Sequence, residues 1–270
     1  VSVALITTRG VAPTRLGGLP WTEQRPAVAA GPLPVLLCLP PAPFGALFFT
    51  PFQALAAAAG LRVICVDPAG MGGADRPALP PSVEHHTLAI GDLLDQLKLP
   101  SVSVLGVQLG AAIATELALS QTSRVRSLVL AELQAGPSHP LRLATSRPQP
   151  LFEDADHLGN LWRQALKARP QGMTDDRLLA LVLEPLRAGT AVGWGFEALF
   201  RYDWRRRLAA LATPVLCPIY AEAGGSRGRA AVDLIPGVRA VELPGRPAHP
   251  FERVPDQLVS LIAPFVLQGV

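Results

Sequence analysis

The sequence predicts an α/β fold: a mostly parallel sheet with helices packed on both faces. Two observations carry this. Short apolar runs with β-branched residues alternate along the chain with longer helix-like segments, the pattern that parallel strands joined by crossover helices produce. The chain is also long and apolar enough for one large core. Of its 270 residues, 49% are hydrophobic and 17% charged, a balance that disordered chains do not show.

Each element follows from its own residues. Residues 34–39 read as a strand and 52–59 as a helix, then 61–66 as a strand and 83–97 as a helix. Residues 101–105 are the next strand, 109–120 the next helix and 125–132 a further strand. Strands are predicted again at 215–221 and 238–243, with a last helix at 255–266. Residues 133–212 have a different texture. β-branched residues are few there, and helical periodicity appears at 151–168, 174–187 and 192–202 between Pro and Gly punctuation. These helices read as a lid inserted into the sheet domain. The expected organisation is a core at 1–132, a helical lid at 133–212 and the rest of the core at 213–270.

Composition removes several classes of function. Net charge is +3, and with only two lysines, Lys98 and Lys167, the basic excess is arginine. A nucleic-acid partner requires a dense Lys/Arg stripe with aromatics; the one basic run, 205–207, reads as a solvated helix start. No apolar run reaches the ~18–20 residues of a membrane span. Residues 1–10 lack the basic start and apolar core of a signal peptide, so a cytoplasmic location is expected. Cys38, Cys65 and Cys217 lie in apolar, strand-like runs and read as buried free thiols. An odd count without close spacing builds neither a disulfide framework nor a zinc site. Glu84-His85-His86 precedes a helix. Adjacent histidines there point about 100° apart and cannot pair on a metal, so they read as solvent-side or partly buried. The glycines between Gly70 and Gly73 have no following Lys-Ser/Thr and no Gly-x-Gly-x-x-Gly spacing. No metal and no cofactor is expected.

The most informative stretch is Gly106-Val107-Gln108-Leu109-Gly110, which follows a strand and opens a helix. That is the setting of the Gly-x-Ser-x-Gly nucleophile elbow, with Gln108 where a hydrolase needs Ser, Cys or Asp. A neutral amide is too poor a nucleophile to replace them. Two more motifs follow in order. Residues Asp67 to Pro77 match an Asp-x-x-Gly-x-Gly-x-Ser-x-x-Pro loop with Ala74 in place of Ser, and Gly245 is followed by Glu252-Arg253-Val254-Pro255 before the last helix.

With these three motifs the chain resembles the α/β-hydrolase superfamily, and within it the lidded branch of small-molecule hydrolases, over residues 30–270. The resemblance implies the α/β-hydrolase fold and assigns functional positions. The nucleophile position is Gln108. The oxyanion loop, usually His-Gly, reads Pro40-Pro41. Pro41 has no N–H to donate, so an oxyanion hole would need Ala42 with the Leu109 amide. The acid position, usually Gly-x-x-Asp, reads Ala221-Glu222-Ala223-Gly224, and the histidine position falls on Arg246, with His249 three residues on. Some family members carry their acid after the strand that here ends at Glu132. The expected catalytic residues are Gln108, Glu132, Arg246 and His249. The expected substrate contacts are Pro41, Ala42, Leu109 and the lid residue Trp194. A serine placed at 108 would face Arg246, which cannot accept its proton.

The function expected from this pattern is a non-hydrolytic enzyme acting on a hydrophobic small molecule, a natural-product intermediate. Cyclisation, elimination, decarboxylation or isomerisation can run in a shaped pocket without a covalent nucleophile. The alternative is a pseudoenzyme that holds a small molecule or a partner protein. Gln, Arg and Glu at chemically useful positions favour the enzyme; Pro40-Pro41 and Gly224, losses without replacement, favour the pseudoenzyme. No nucleic-acid or membrane partner is expected, and the chain is expected to be a monomer or homodimer.

Overall fold

A computed structural model describes residues 3–133, 155–220, 225–245 and 249–268. Eight strands form one sheet: β1 (Leu5–Thr14), β2 (Gly17–Pro26), β3 (Val35–Leu39), β4 (Arg62–Val66), β5 (Val102–Val107), β6 (Val125–Ala131), β7 (Val215–Tyr220) and β8 (Arg239–Leu243). They lie in the order β1-β2-β4-β3-β5-β6-β7-β8. From β4 to β8 every pairing is parallel; β2 pairs antiparallel with both β1 and β4. The central strands are buried on both faces, which is why their sequences are continuous apolar runs.

The predicted strands 34–39, 61–66, 101–105, 125–132, 215–221 and 238–243 are present within one or two residues. The hairpin of β1 and β2 was not predicted. β1 exposes most of its side chains and contains Gly10 and Pro13, so no alternation marks it. The Trp21 ring of β2 lies across Gly10, where a β-carbon would stand 2.7 Å from Cζ2.

Helices cover both faces. On one face α1 (Thr50–Ala58), entered through a tight 3-10 turn at Ala46–Phe49, packs against the last helix, α10 (Pro255–Gln268). On the other lie α2 (Val83–Gln96), α3 (Leu109–Ser120) and α8 (Gly225–Val232). α2 starts at Ser82, whose hydroxyl accepts from the His85 backbone N–H while His85 Nδ1 accepts from Ser82 N–H, a reciprocal cap. The neighbouring His86 corrects the expectation of a partly solvated residue: it is 2% exposed, among the buried residues of α2. The three cysteines are free and buried.

Between β6 and β7 the described chain is helical: α4 (Ala155–Ala168), α5 (Asp175–Ala188), α6 (Val192–Arg201) and α7 (Trp204–Ala209). The start of the helix predicted from residue 151 lies outside the described residues. In α7, Arg205 and Arg206 are exposed as expected, but Arg207 pairs with the buried Glu116 of α3, which also accepts from Tyr202 Oη. Among the described residues no helix is long and apolar enough to cross a membrane.

Candidate functional site

The site is built at the carboxyl ends of β5 and β6, neighbours in the sheet. Gln108 follows β5 and turns the chain into α3 with φ 49° and ψ −105°. This is left-handed backbone that a non-glycine residue enters only at a cost. The flanking glycines make the turn possible. A β-carbon on Gly110 would collide with the Leu39 carbonyl, and one on Gly106 with the Gly110 carbonyl. Glycine at both places lets α3 seat against β3 and β5.

Glu132 follows β6, and the last pair in register is Val107 with Ala131. Gln108 N–H donates to the Ala131 carbonyl at 3.2 Å. The next residues on each strand are therefore side by side, and their side chains meet: Gln108 Nε2 donates to Glu132 Oε2 at 2.9 Å. Glu132 also has a positive φ, 52°. Both side chains are half-buried, so they are fixed by the fold and still reachable.

His249 follows β8 and precedes the last two helices. It caps α9 (Pro250–Arg253) in the left-handed region, φ 53° and ψ 66°, and its carbonyl accepts from Glu252 and Arg253 N–H. Two residues on, Phe251 is 1% exposed and packs against Phe48, Phe49 and Phe52, with ring centroids 5.0–5.4 Å away. That aromatic cluster anchors the loop. Burial holds the His249 imidazole below its ordinary pKa. The Glu252 and Glu132 carboxylates act in the opposite sense, and Arg177 acts with burial. The Glu132 charge is thus felt at the His249 imidazole. The net lowering favours the neutral ring, the state in which it can accept a proton.

Of the four non-glycine residues with positive φ among the described residues, three are Gln108, Glu132 and His249. Arg246, the fourth catalytic candidate, lies outside the described residues, as does Glu222. The expected substrate contacts divide. Pro41 and Ala42 are buried beyond the end of β3, and Leu109 is 0% exposed. Helix α6 rests on two of them through Gly195: a β-carbon there would collide with Ala42 Cβ and stand 3.1 Å from Leu109 Cδ2 and 2.9 Å from Met71 Cε. Trp194 turns to another neighbour. Its ring edge lies against Gly70 of the Asp67 loop, 3.8 Å from where a β-carbon would be.

The Asp67 loop is a support. The Asp67 carboxylate accepts from Ala46 and Gly73 N–H at 2.6 and 2.7 Å, holding the turn before α1. Beside it, Glu184 of α5 accepts from Gly45 N–H at 2.8 Å. Burial raises the pKa of both carboxyls. Arg76 Nη2 donates to the Ala188 carbonyl at 2.6 Å, and Arg177 Nη2 to the Leu47 carbonyl at 2.7 Å. These contacts seat the inserted helices on the core. No motif marked Arg177, Glu184 or Gly195, because their partners lie far away in sequence. Among the described residues no group of three or more His, Cys, Asp or Glu could hold a metal ion.

The chain belongs to the α/β-hydrolase fold family, whose pattern matches residues 34–221. Among solved structures it is similar to a thermophilic esterase from Thermogutta terrifontis, with 18% identity and a TM-score of 0.76 over 97% of this chain and 99% of that one. A hydrolase from Pseudomonas aeruginosa shares 24% identity, with a TM-score of 0.74 over 96% and 98%. The enol-lactonase from Burkholderia xenovorans shares 19%, with a TM-score of 0.75 over 96% and 100%. At these identities the likeness is one of fold. No curated protein sequence matches the chain.

Proposed function

We propose that this protein is an enzyme of the α/β-hydrolase fold that moves a proton on a hydrophobic small molecule, a natural-product intermediate, without forming a covalent intermediate. The observation that carries this reading is the Gln108–Glu132 hydrogen bond at the elbow, with His249 in the field of Glu132. His249 is the general base, Glu132 stabilises the imidazolium that forms, and Gln108 fixes Glu132 from the place a nucleophile would take. Such a pair can abstract a proton next to a carbonyl and return it elsewhere, the step shared by isomerisation, elimination and many cyclisations. Helices α4–α7 act as a lid that keeps water out and strengthens these polar contacts.

A second reading keeps the same pair and gives it a water molecule. His249 would then activate water to attack an ester or lactone directly. The similarity to proteins described as an esterase and an enol-lactonase favours this reading at the level of fold alone. One experiment separates the two. A panel of enolisable ketones, activated esters and lactones is followed by NMR in D2O, with intact-protein mass measured in parallel. The first reading predicts catalysed exchange of α-protons with no added mass on the protein. Ester or lactone cleavage without α-exchange would favour the second. Neither reaction, together with saturable binding of the probes, would leave a ligand-holding protein.

A further inference from the structure

Arg177 lies on α5 of the insertion, and Glu252 lies three residues after His249. They form an ion pair that is largely out of water, with side chains 18% and 8% exposed. Arg177 Nη2 also holds the Leu47 carbonyl at 2.7 Å. Leu47 is in the turn whose Phe48 and Phe49 anchor Phe251. One guanidinium therefore ties the insertion to the short helix that follows His249 and to the turn that packs on it. Among the described residues three charged groups act on the imidazole: Glu252 from its own helix, Glu132 from the end of β6 and Arg177 from the insertion. Glu184, on the same helix as Arg177, is also in the field of that guanidinium.

We infer that Arg177 and Glu252 are positioning residues for His249: the ion pair sets how readily the imidazole takes a proton, and it makes that property depend on the insertion being seated. With Arg177 in place, the Glu252 charge is neutralised by a partner at contact distance. The guanidinium thus offsets part of the Glu252 field at the imidazole. If the insertion lifts, Arg177 leaves with it. Glu252 is then an uncompensated carboxylate beside His249, and a nearby opposite charge favours the protonated ring. A seated insertion therefore favours the neutral ring, the form that accepts a proton.

This inference rests on His249 being the base, but its test needs no turnover. The His249 ring proton is followed by NMR titration, assigned with His249→Asn, in the wild type, Arg177→Gln, Arg177→Lys, Glu252→Gln and the Arg177→Gln/Glu252→Gln double variant. Arg177→Gln is expected to raise the midpoint by about half a unit or more and Glu252→Gln to lower it. The double variant should fall between Glu252→Gln and the wild type, and Arg177→Lys should restore most of the wild-type value. If Arg177→Gln does not fold, the fall in Glu252→Gln and the retained value in Arg177→Lys carry the test. Midpoints unmoved in folded variants whose melting temperatures fall would overturn the inference and leave a purely structural clip. Midpoints that move as expected in a protein that performs no proton transfer would overturn the functional reading and leave this one standing.

Discussion

Gln108 Nε2 donates to Glu132 Oε2 at 2.9 Å, and both residues hold φ near +50°, at 49° and 52°. A hydrogen bond to a carboxylate across two adjacent left-handed residues is a costly arrangement. The strain is of order 1–3 kcal/mol per residue, and it is held in place by the packing of α3 on β3 through Gly110.

Strain at position 108 has a direct signature in stability. Gln108→Ala removes the hydrogen bond and keeps a β-carbon in left-handed backbone. Gln108→Gly removes both. The glycine variant is expected to be more stable than the alanine variant by about 1 kcal/mol, the reverse of the usual order in regular structure. Urea unfolding of the pair measures the difference. An alanine variant equal to or more stable than the glycine variant would mean that the elbow relaxes.

A serine at position 108 should gain reactivity. The sequence placed Arg246 at the base position and made such a serine inert. On the proposed reading, His249, which feels the Glu132 charge, is the base and Glu132 the acid that would orient it. Gln108→Ser is therefore expected to be labelled by a serine-directed fluorophosphonate, with the wild type unlabelled and His249→Asn in the serine background unlabelled again. Mass spectrometry of the intact protein reads the adduct. An unlabelled Gln108→Ser would place His249 out of reach of the elbow.

The elbow was legible because its glycines are forced by close backbone approach, and such constraints survive in sequence even when the central residue changes. Gln108 and Glu132 could be named for the same reason: each is the first residue beyond a buried, continuous apolar strand. That they touch follows from register, Val107 opposite Ala131, which no local pattern encodes. The β1–β2 hairpin was illegible because β1 faces water along most of its length. The burial of His86 was missed because neighbouring helical residues differ in exposure by the direction of one side chain. The seating of the insertion by Arg177, Glu184 and Gly195 was missed because its partners, Glu252, Gly45 and Ala42, are on distant elements.

The buried His86 and the half-buried His249 predict acid lability. Burial pushes the His86 pKa down to about 4, and it lowers His249 as well. The unfolded chain takes up these protons near the ordinary value of about 6.5, while the folded chain resists until lower pH. Protonation therefore favours unfolding. Stability should fall as pH drops from about 6.5 toward 4, with His86 alone contributing roughly 3 kcal/mol across that window. The raised carboxyls of Asp67 and Glu184 work in the opposite sense, because the folded state holds their protons more tightly. Thermal melts from pH 7.5 to 4.5 should show a steeper decline for the wild type than for His86→Leu. Equal slopes would mean that His86 becomes solvated before the chain unfolds.

The most direct test of the proposed chemistry is the rate of α-proton exchange of an enolisable hydrophobic ketone in D2O, compared among the wild type, His249→Asn and Glu132→Gln. General base catalysis contributes about 100-fold or more. His249→Asn should lose most of the catalysed exchange, and Glu132→Gln should lower it while shifting its pH dependence, with both variants folded as judged by circular dichroism. Exchange catalysed equally by all three proteins would contradict the assignment of His249 and Glu132 as the proton-transfer pair.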